Sequence, residues 1–365
     1  SILPHGQDGE SKEESDPVSE TAPRLQILTS PHVKNASSTD LIMRHVVAAL
    51  LPVAGVAVLT FGLSALLLIL VATAACLFTE RALCAIAHKP STLGDSSAAI
   101  TGILLALSLP PGFPLWMAAV GGGIAIALGK ALFGGLGYNV FNPALVGRAF
   151  LQAAFPVAIT TWTPPGVAGR FVHCIPSTLA APFLQAAPVD EYIRNAAVDG
   201  FSGATALSLL KFGGPDAILP SVADLFTGAV AGSAGETSAF IILVCGAYLA
   251  ARKMLDWRIP AAMLAGVFGF TVLFRLLDKS VTVSPLFMLC SGGLMLGAVF
   301  MATDMVTSPV TPLGVWTYGL FLGFMTVLIR LKGGLPEGVM YAILLGNAIV
   351  PLINDITQPR IYGAK

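Results

Sequence analysis

The chain of 365 residues is 55% hydrophobic and 11% charged, with 20 basic and 20 acidic residues and a formal net charge of zero. Its mean hydropathy is +0.81, and so few charges cannot supply the polar shell that a soluble protein of this length needs. Charge balance likewise excludes nucleic acid as a partner and leaves membrane lipid as the implied surroundings. The five cysteines, Cys76, Cys84, Cys174, Cys245 and Cys290, form no Cys-x-x-Cys pair and have no histidine cluster nearby. Neither a zinc nor an iron–sulfur site can therefore be built from this chain alone, and inert buried thiols are expected, with Cys174 set apart in a loop.

Residues 1–40 are acidic, rich in Ser, Pro and Glu and without hydrophobic periodicity, so a disordered tail is expected there; they lack the basic and apolar regions of a signal peptide. No charge falls between Arg44 and Glu80, which predicts one membrane helix, a break at Gly62 and Ser64, and a second helix running through Cys84. Asp95 to Lys130 is the next charge-free stretch, and Pro110-Pro111-Gly112 must divide it into helices three and four. A short fifth helix is expected from about Val140 to Phe155, opened by Asn142-Pro143.

From Pro156 to about Gly235 the pattern breaks into prolines, glycines and the acids Asp190, Glu191 and Asp199, with no full-length span. Loops of such length are usually functional. Apolar runs resume at 237–251, 259–274, 280–303, 305–329 and 338–354, each fit for one helix. The expected fold is therefore an all-α polytopic membrane protein of about ten transmembrane helices. Its parts are the tail (1–40), a first five-helix repeat (41–155), an extracytoplasmic loop (156–235), a second five-helix repeat (236–356) and a C-terminal tail (357–365).

An offset of 199 aligns Pro110 with Pro309, Gly134-Gly135-Leu136 with Gly333-Gly334-Leu335, Val140 with Val339, and Gly147 and Ala149 with Gly346 and Ala348. Such matches favour an internal duplication. Five helices being an odd number, the second copy would be inverted, an arrangement that places polar sites between the halves beside broken helices. With the amino terminus cytoplasmic, Arg44, Arg81, Lys89, Lys130, Arg252, Lys253, Arg258, Arg360 and Lys365 lie inside, against Arg275, Lys279, Arg330 and Lys332 outside. That bias places the long loop on the periplasmic side of an inner (cytoplasmic) membrane.

Three groups of residues carry candidate chemistry. In the loop, Asp199-Gly200-Phe201-Ser202-Gly203-Ala204-Thr205 sets a threonine among small residues that would let its hydroxyl enter another enzyme's active site; an ordinary turn would use the same residue types. Gly134-Gly135-Leu136-Gly137-Tyr138-Asn139-Val140-Phe141-Asn142-Pro143 places two amides ahead of a proline-opened helix, either as caps or as contacts for a polar ligand. Glu80, Asp95, Asp304, Glu337 and Asp355 are acids at membrane depth or edge. Asp304, in Ala302-Thr303-Asp304-Met305-Val306-Thr307-Ser308-Pro309, is the candidate for ion coupling, with a solvated helix end as the alternative.

The loop motif and the fifth-helix motif together resemble the RnfD/NqrB family, and the resemblance covers nearly the whole chain after the tail. Ser30-Pro31-His32 and the closing Pro359-Arg360-Ile361-Tyr362-Gly363 look like the RnfD branch rather than NqrB. The resemblance implies FMN joined through its phosphate to the Thr205 hydroxyl by a separate flavin transferase, which would recognise Asp199, Ser202, Gly203 and Ala204. It also implies a second, non-covalent flavin, riboflavin, in contact with Asn139 and Asn142. By the same resemblance the chain would be a subunit of an Rnf-type complex with RnfA, RnfB, RnfC, RnfE and RnfG. That complex moves electrons between ferredoxin and NAD while translocating Na⁺ or H⁺, and no residue of this chain need act as nucleophile or general base. Three other readings stay open: an NqrB-type subunit of a quinone reductase, a flavin-free channel or transporter, and a passive scaffold.

Overall fold

The computed structural model describes residues 38–182, 204–213, 219–228, 230–236, 238–278 and 281–359. Residues 39–365 form one compact unit, apart from 1–38. The expected tail thus lies almost wholly outside the described residues, as do Asp199, Ser202, Gly203, Lys279 and the closing Arg360 to Gly363. Among the described residues all regular structure is helical. Five helices are long and apolar enough to cross a membrane: α1 (Thr39–Phe61), α2 (Leu63–Ile86), α9 (Arg258–Leu277), α12 (Pro312–Lys332) and α13 (Val339–Ile356). Between them lie α3 (Ser97–Leu107), α4 (Leu115–Ile126), α5 (Pro143–Ala154), α6 (Ala206–Phe212), α7 (Val222–Thr227), α8 (Ala239–Ala251), α10 (Pro285–Cys290) and α11 (Leu294–Leu296).

Backbone chemistry explains the breaks. Gly62 ends α1 with φ +74°, and its N–H closes on the Val58 carbonyl at 2.7 Å. Any side chain there would run into the Arg170 carbonyl, which accepts the Leu63 N–H at 2.9 Å. Arg170 also donates through Nε to Leu59 O at 2.8 Å, so a cation satisfies the carbonyl end of α1. Pro110 and Pro111 follow α3, and the freed Leu109 carbonyl takes the Ala234 N–H at 2.9 Å. The α5 helix opens as its sequence predicts, with Pro143 in the first turn and the Asn142 side chain accepting from Ala144 N at 3.0 Å.

Two helices finish in π turns, Ala127–Ala131 after α4 and Gly297–Met301 after α11. Such turns displace one carbonyl from the helical ladder and recur at functional sites.

Small residues let the helices approach closely. A Cβ on Gly319 would lie 2.5 Å from Ala262 Cβ, and one on Gly323 2.7 Å from Met263 O, so the Gly-x-x-x-Gly pair of α12 sits directly on α9. Gly147 brings α5 onto α4, where a Cβ would meet Ala125 Cβ at 2.8 Å, and Gly346 brings α13 onto α12, where it would meet Leu322 Cδ2 at 2.5 Å. One hydrophobic core runs from α1 through α13, including Leu50, Leu105, Leu145, Leu207, Met288 and Tyr318. Only 33% of the most apolar window of α1, and the same share of α2, is buried. Leu51, Leu59, Leu70 and Phe78 are exposed, as suits side chains solvated by lipid.

Candidate functional site

Three of the sequence candidates meet at one place. Asn139, Asn142 and Asp304 line a cavity of about 750 Å³ that opens to the surface and is walled by α1, α3, α8 and the π turn after α11. Met43, Val46, Ile100, Leu104 and Phe300 make its apolar surface. Asn142 holds the wall together: its Nδ2 donates to Met301 O at 3.2 Å, a carbonyl at the end of that π turn. Its backbone N–H reaches Asn347 Oδ1 at 3.1 Å, in the amide orientation that also lets Asn347 donate to Ile343 O (3.2 Å) and Tyr318 Oη (2.8 Å). Asn139 donates to Phe141 O at 3.2 Å, but its Oδ1 is buried with no hydrogen-bond partner among the described residues. Such an acceptor is costly unless a ligand or water fills the space beside it. Asp304 caps its own turn, with Oδ1 accepting from Val306 N at 3.2 Å.

The same cavity reaches Lys130, which by hydropathy alone is a flanking charge that reports orientation. It is in fact 4% exposed, within the first π turn. Its Nζ lies 2.5 Å from Glu80 Oε1, 2.5 Å from Ser97 Oγ and 3.6 Å from Asp95 Oδ2, while Thr92 donates to Glu80 as well. Glu80 and Asp95 are therefore paired acids rather than isolated ones, as buried charges must be. A further cavity of about 500 Å³, lined by Glu80, Thr92, Lys89 and Gly134, lies on the other side of Lys130. Asp355 is exposed near the end of α13.

Thr205 stands apart from this cavity. It caps α6, its Oγ1 accepting from Ser208 N at 3.2 Å and lying 2.9 Å from Ser208 Oγ. The residue is only 3% exposed, so the expectation of an accessible hydroxyl on an open loop is corrected: Thr205 heads a packed helix. The physical reason lies one turn on. Leu207 is buried against Gly292, and Lys211 Nζ donates to Ile329 O (3.3 Å), Arg330 O (3.1 Å) and Leu335 O (2.8 Å), closing the carbonyl end of α12. Burial pushes the Lys211 ammonium below its ordinary pKa. Ala204 adjoins it, half-buried, and the residues before it lie outside the described set.

Under α6 lies a second charged group that sequence reasoning reaches only in part. Glu337 pairs with Arg148 at 3.1 Å, 189 residues away, and hydrogen-bonds to Glu236. Arg330, 4% exposed, donates to Met288 O (2.6 Å) and Ser291 O (2.9 Å). Both acids sit in segments that connect helices. Burial, then the neighbouring Glu337 carboxylate, pushes Glu236 well above the ordinary carboxylate range. Burial works against ionising Glu337 too, but Arg148, the Glu236 hydrogen bond and Arg330 outweigh it and hold that carboxyl below its usual value. Glu236 could have been suspected from its place just before a span; nothing local to Arg148 marks its partner.

The sequence profile of the NQR2, RnfD, RnfE family matches residues 26–363. Over 349 residues the chain is 40% identical to the RnfD-type protein of Clostridium ljungdahlii, the D component of its proton-translocating ferredoxin:NAD(+) oxidoreductase complex, covering 93% of this chain and 96% of that one. It is 41% identical over 341 residues to the D component of the Na(+)-translocating ferredoxin:NAD(+) oxidoreductase complex of Acetobacterium woodii, covering 93% and 95%. A third relative, the D component of the ion-translocating oxidoreductase complex of Stutzerimonas stutzeri, is 41% identical over 341 residues, covering 90% and 93%. With a profile match that extends from before the first span to the last residues of the chain, this protein belongs to the NQR2, RnfD, RnfE family.

Proposed function

We propose that this chain is the RnfD-type membrane component of an ion-translocating ferredoxin:NAD⁺ oxidoreductase complex in the inner membrane, carrying FMN on Thr205 and a second flavin beside Asn139 and Asn142. The observation that carries the proposal is the near end-to-end match, at 40% and 41% identity, to components of two complexes so named. Their two names specify different ions, H⁺ and Na⁺, at almost equal identity, so overall similarity does not choose the ion here. The partners are the other subunits of that complex, and a flavin transferase completes the chain.

The residues present suit both groups. At Thr205, a phosphoester oxygen in place of the hydroxyl would keep the Ser208 N–H and hydroxyl as partners. Because Thr205 is buried, α6 must open locally, or attachment must precede its packing. In the large cavity, a volume of about 750 Å³ falls within the range of small-molecule sites, and the unpartnered Asn139 Oδ1 offers an acceptor to a ring N–H. Bound flavin supplies the electron-transfer chemistry that no side chain here can perform. The chain's own part is to tether one group, to hold the other against apolar walls and to keep ionisable groups paired around both.

A ten-helix arrangement of two inverted repeats with a periplasmic loop belongs to the same reading. The packing of α2 on α4 parallels that of α9 on α12, and α4 on α5 parallels α12 on α13, with Gly147 and Gly346 at the 199-residue offset in the latter pairs. The equivalent first helices, α1 and α8, touch each other, and so do the last, α5 and α13, as a pseudo-two-fold would require. Vesicles containing the assembled complex provide the test: ferredoxin-dependent NAD⁺ reduction should generate an ion gradient and should stop when this subunit is omitted. Electron transfer that persists without it points to the scaffold reading, and ion movement with no dependence on electron donors points to the channel or transporter.

A further inference from the structure

Gly292, with φ +64°, marks a junction of three elements. A Cβ there would lie 2.7 Å from Leu207 Cδ1, 3.1 Å from Arg330 Nη2 and 3.3 Å from Glu337 Oε1; one on Gly293 would lie 3.7 Å from Glu236 Oε1. Glu236 and Glu337 hydrogen-bond to each other, and ionised carboxylates only accept, so that bond contains one proton. Arg148 Nη2 flanks the pair on the Glu337 side at 3.1 Å, and Ser233 Oγ donates to Glu236 Oε1 at 2.7 Å. Buried donors stand in reserve around it: Arg148 Nε, Arg330 Nε and the fully buried Ser291 Oγ have no hydrogen-bond partner among the described residues. A cavity of about 460 Å³, with Gln152, Thr160, Trp162 and Tyr341 in its walls, reaches Arg148 and Glu337 from the surface.

We propose that Glu236 and Glu337 form a one-proton exchange site, supplied through this cavity, whose occupancy is coupled electrostatically to the charge carried at Thr205. The coupling half rests on the flavin reading above; the proton site does not. A metal cation is a poor occupant, since two guanidinium groups lie against the pair and hard cations call for six or more oxygen ligands or their own water. Exchange is simple protonation, carboxyl to carboxylate plus H⁺, with no electron gained or lost by the pair. The titratable and charged groups that face it are Arg148 from α5, Arg330 from α12, Tyr341 from the first turn of α13 and, beyond Leu335, Lys211 from α6.

Infrared difference spectroscopy on the full chain in lipid nanodiscs, exchanged from H₂O to D₂O at neutral pH, reads the proton directly. The wild type should show a protonated carboxyl band that shifts in D₂O and is lost in both Glu236→Gln and Glu337→Gln, whether or not flavin is attached. A spectrum indistinguishable between wild type and either variant overturns the site. Should the Gln variants fail to fold, Arg148→Gln retains both carboxyls and should move the band's loss to higher pH; an unmoved titration is equally fatal. For the coupling, the midpoint potential of the attached flavin should depend less steeply on pH in Glu236→Gln than in the wild type. An equal slope in two fluorescent proteins sinks the coupling alone, whereas a wild type without attached flavin sinks the flavin reading and leaves the infrared result standing.

Discussion

Lys211→Met should accelerate attachment of flavin to Thr205. The Lys211 ammonium donates to three carbonyls, at 2.8, 3.1 and 3.3 Å, and is the polar tie between α6 and the end of α12. A hydrogen bond from a charged donor is worth roughly 1.5–3 kcal/mol net when well sheltered. Lys211 is only partly buried and water can replace it at these carbonyls, so the loss reduces to about 1–2 kcal/mol for the set. That corresponds to a rise of roughly 5- to 30-fold in the open population of α6. Thr205 is 3% exposed and can meet the transferase only from an open state, so the initial rate of attachment should rise by the same factor. The assay is a time course of flavin fluorescence in denaturing gels, started from unmodified chain, purified transferase and its flavin donor. Hydrogen exchange over residues 204–213 measures the opening independently. If exchange quickens while the attachment rate stays put, opening does not limit the reaction and the reasoning fails; if exchange is unchanged, the structural role of Lys211 fails.

Other outcomes follow from the same geometry. Glu80→Gln alone should destabilise the chain by about 3–5 kcal/mol by stranding Lys130, and Lys130→Met added to it should restore a large part, as a double-mutant cycle on thermal unfolding in detergent would record. Gly323→Leu should lower the unfolding temperature of the detergent-solubilised protein by pushing α12 off α9, at a cost of about 1–3 kcal/mol or more; an unchanged midpoint would contradict the close approach. Asn142→Ala removes both the α5 cap and the tie to Met301 O, costing about 1–2 kcal/mol, and should release the non-covalent flavin while leaving the covalent band intact. Asp304→Asn should lower the number of ions moved per electron in vesicles, and an unaltered ratio removes Asp304 from the coupling path.

Features governed by the nearest few residues are legible in the sequence. Gly62, Pro110-Pro111 and Asn142-Pro143 each set a local backbone rule, and the structure breaks or starts a helix at each. The clustering of Asn139, Asn142 and Asp304 in a common cavity is not, because it depends on α5 meeting a π turn more than 150 residues away, through Asn142 and Met301. Charge partners are hidden for the same reason: Lys130 finds Glu80 across 50 positions and Arg148 finds Glu337 across 189. Lys130 and Arg330 read as flanking charges in a hydropathy profile, since a profile cannot separate a base at a helix end in water from one turned inward onto an acid or a carbonyl. Thr205 is recognisable as a residue but misleading in its setting. Small neighbours suggest exposure, whereas Leu207 and Lys211, two and six residues later, anchor the helix that buries it.

The central claim, a flavin held covalently by this membrane subunit, is tested most directly by in-gel flavin fluorescence after full denaturation. The native sequence and Thr205→Val would each be co-expressed with a flavin transferase. The account predicts a fluorescent band at the mass of this chain that Thr205→Val abolishes, although both proteins reach the membrane. A dark band from the native sequence, with the transferase active on a known acceptor, or a band that survives Thr205→Val, would contradict it.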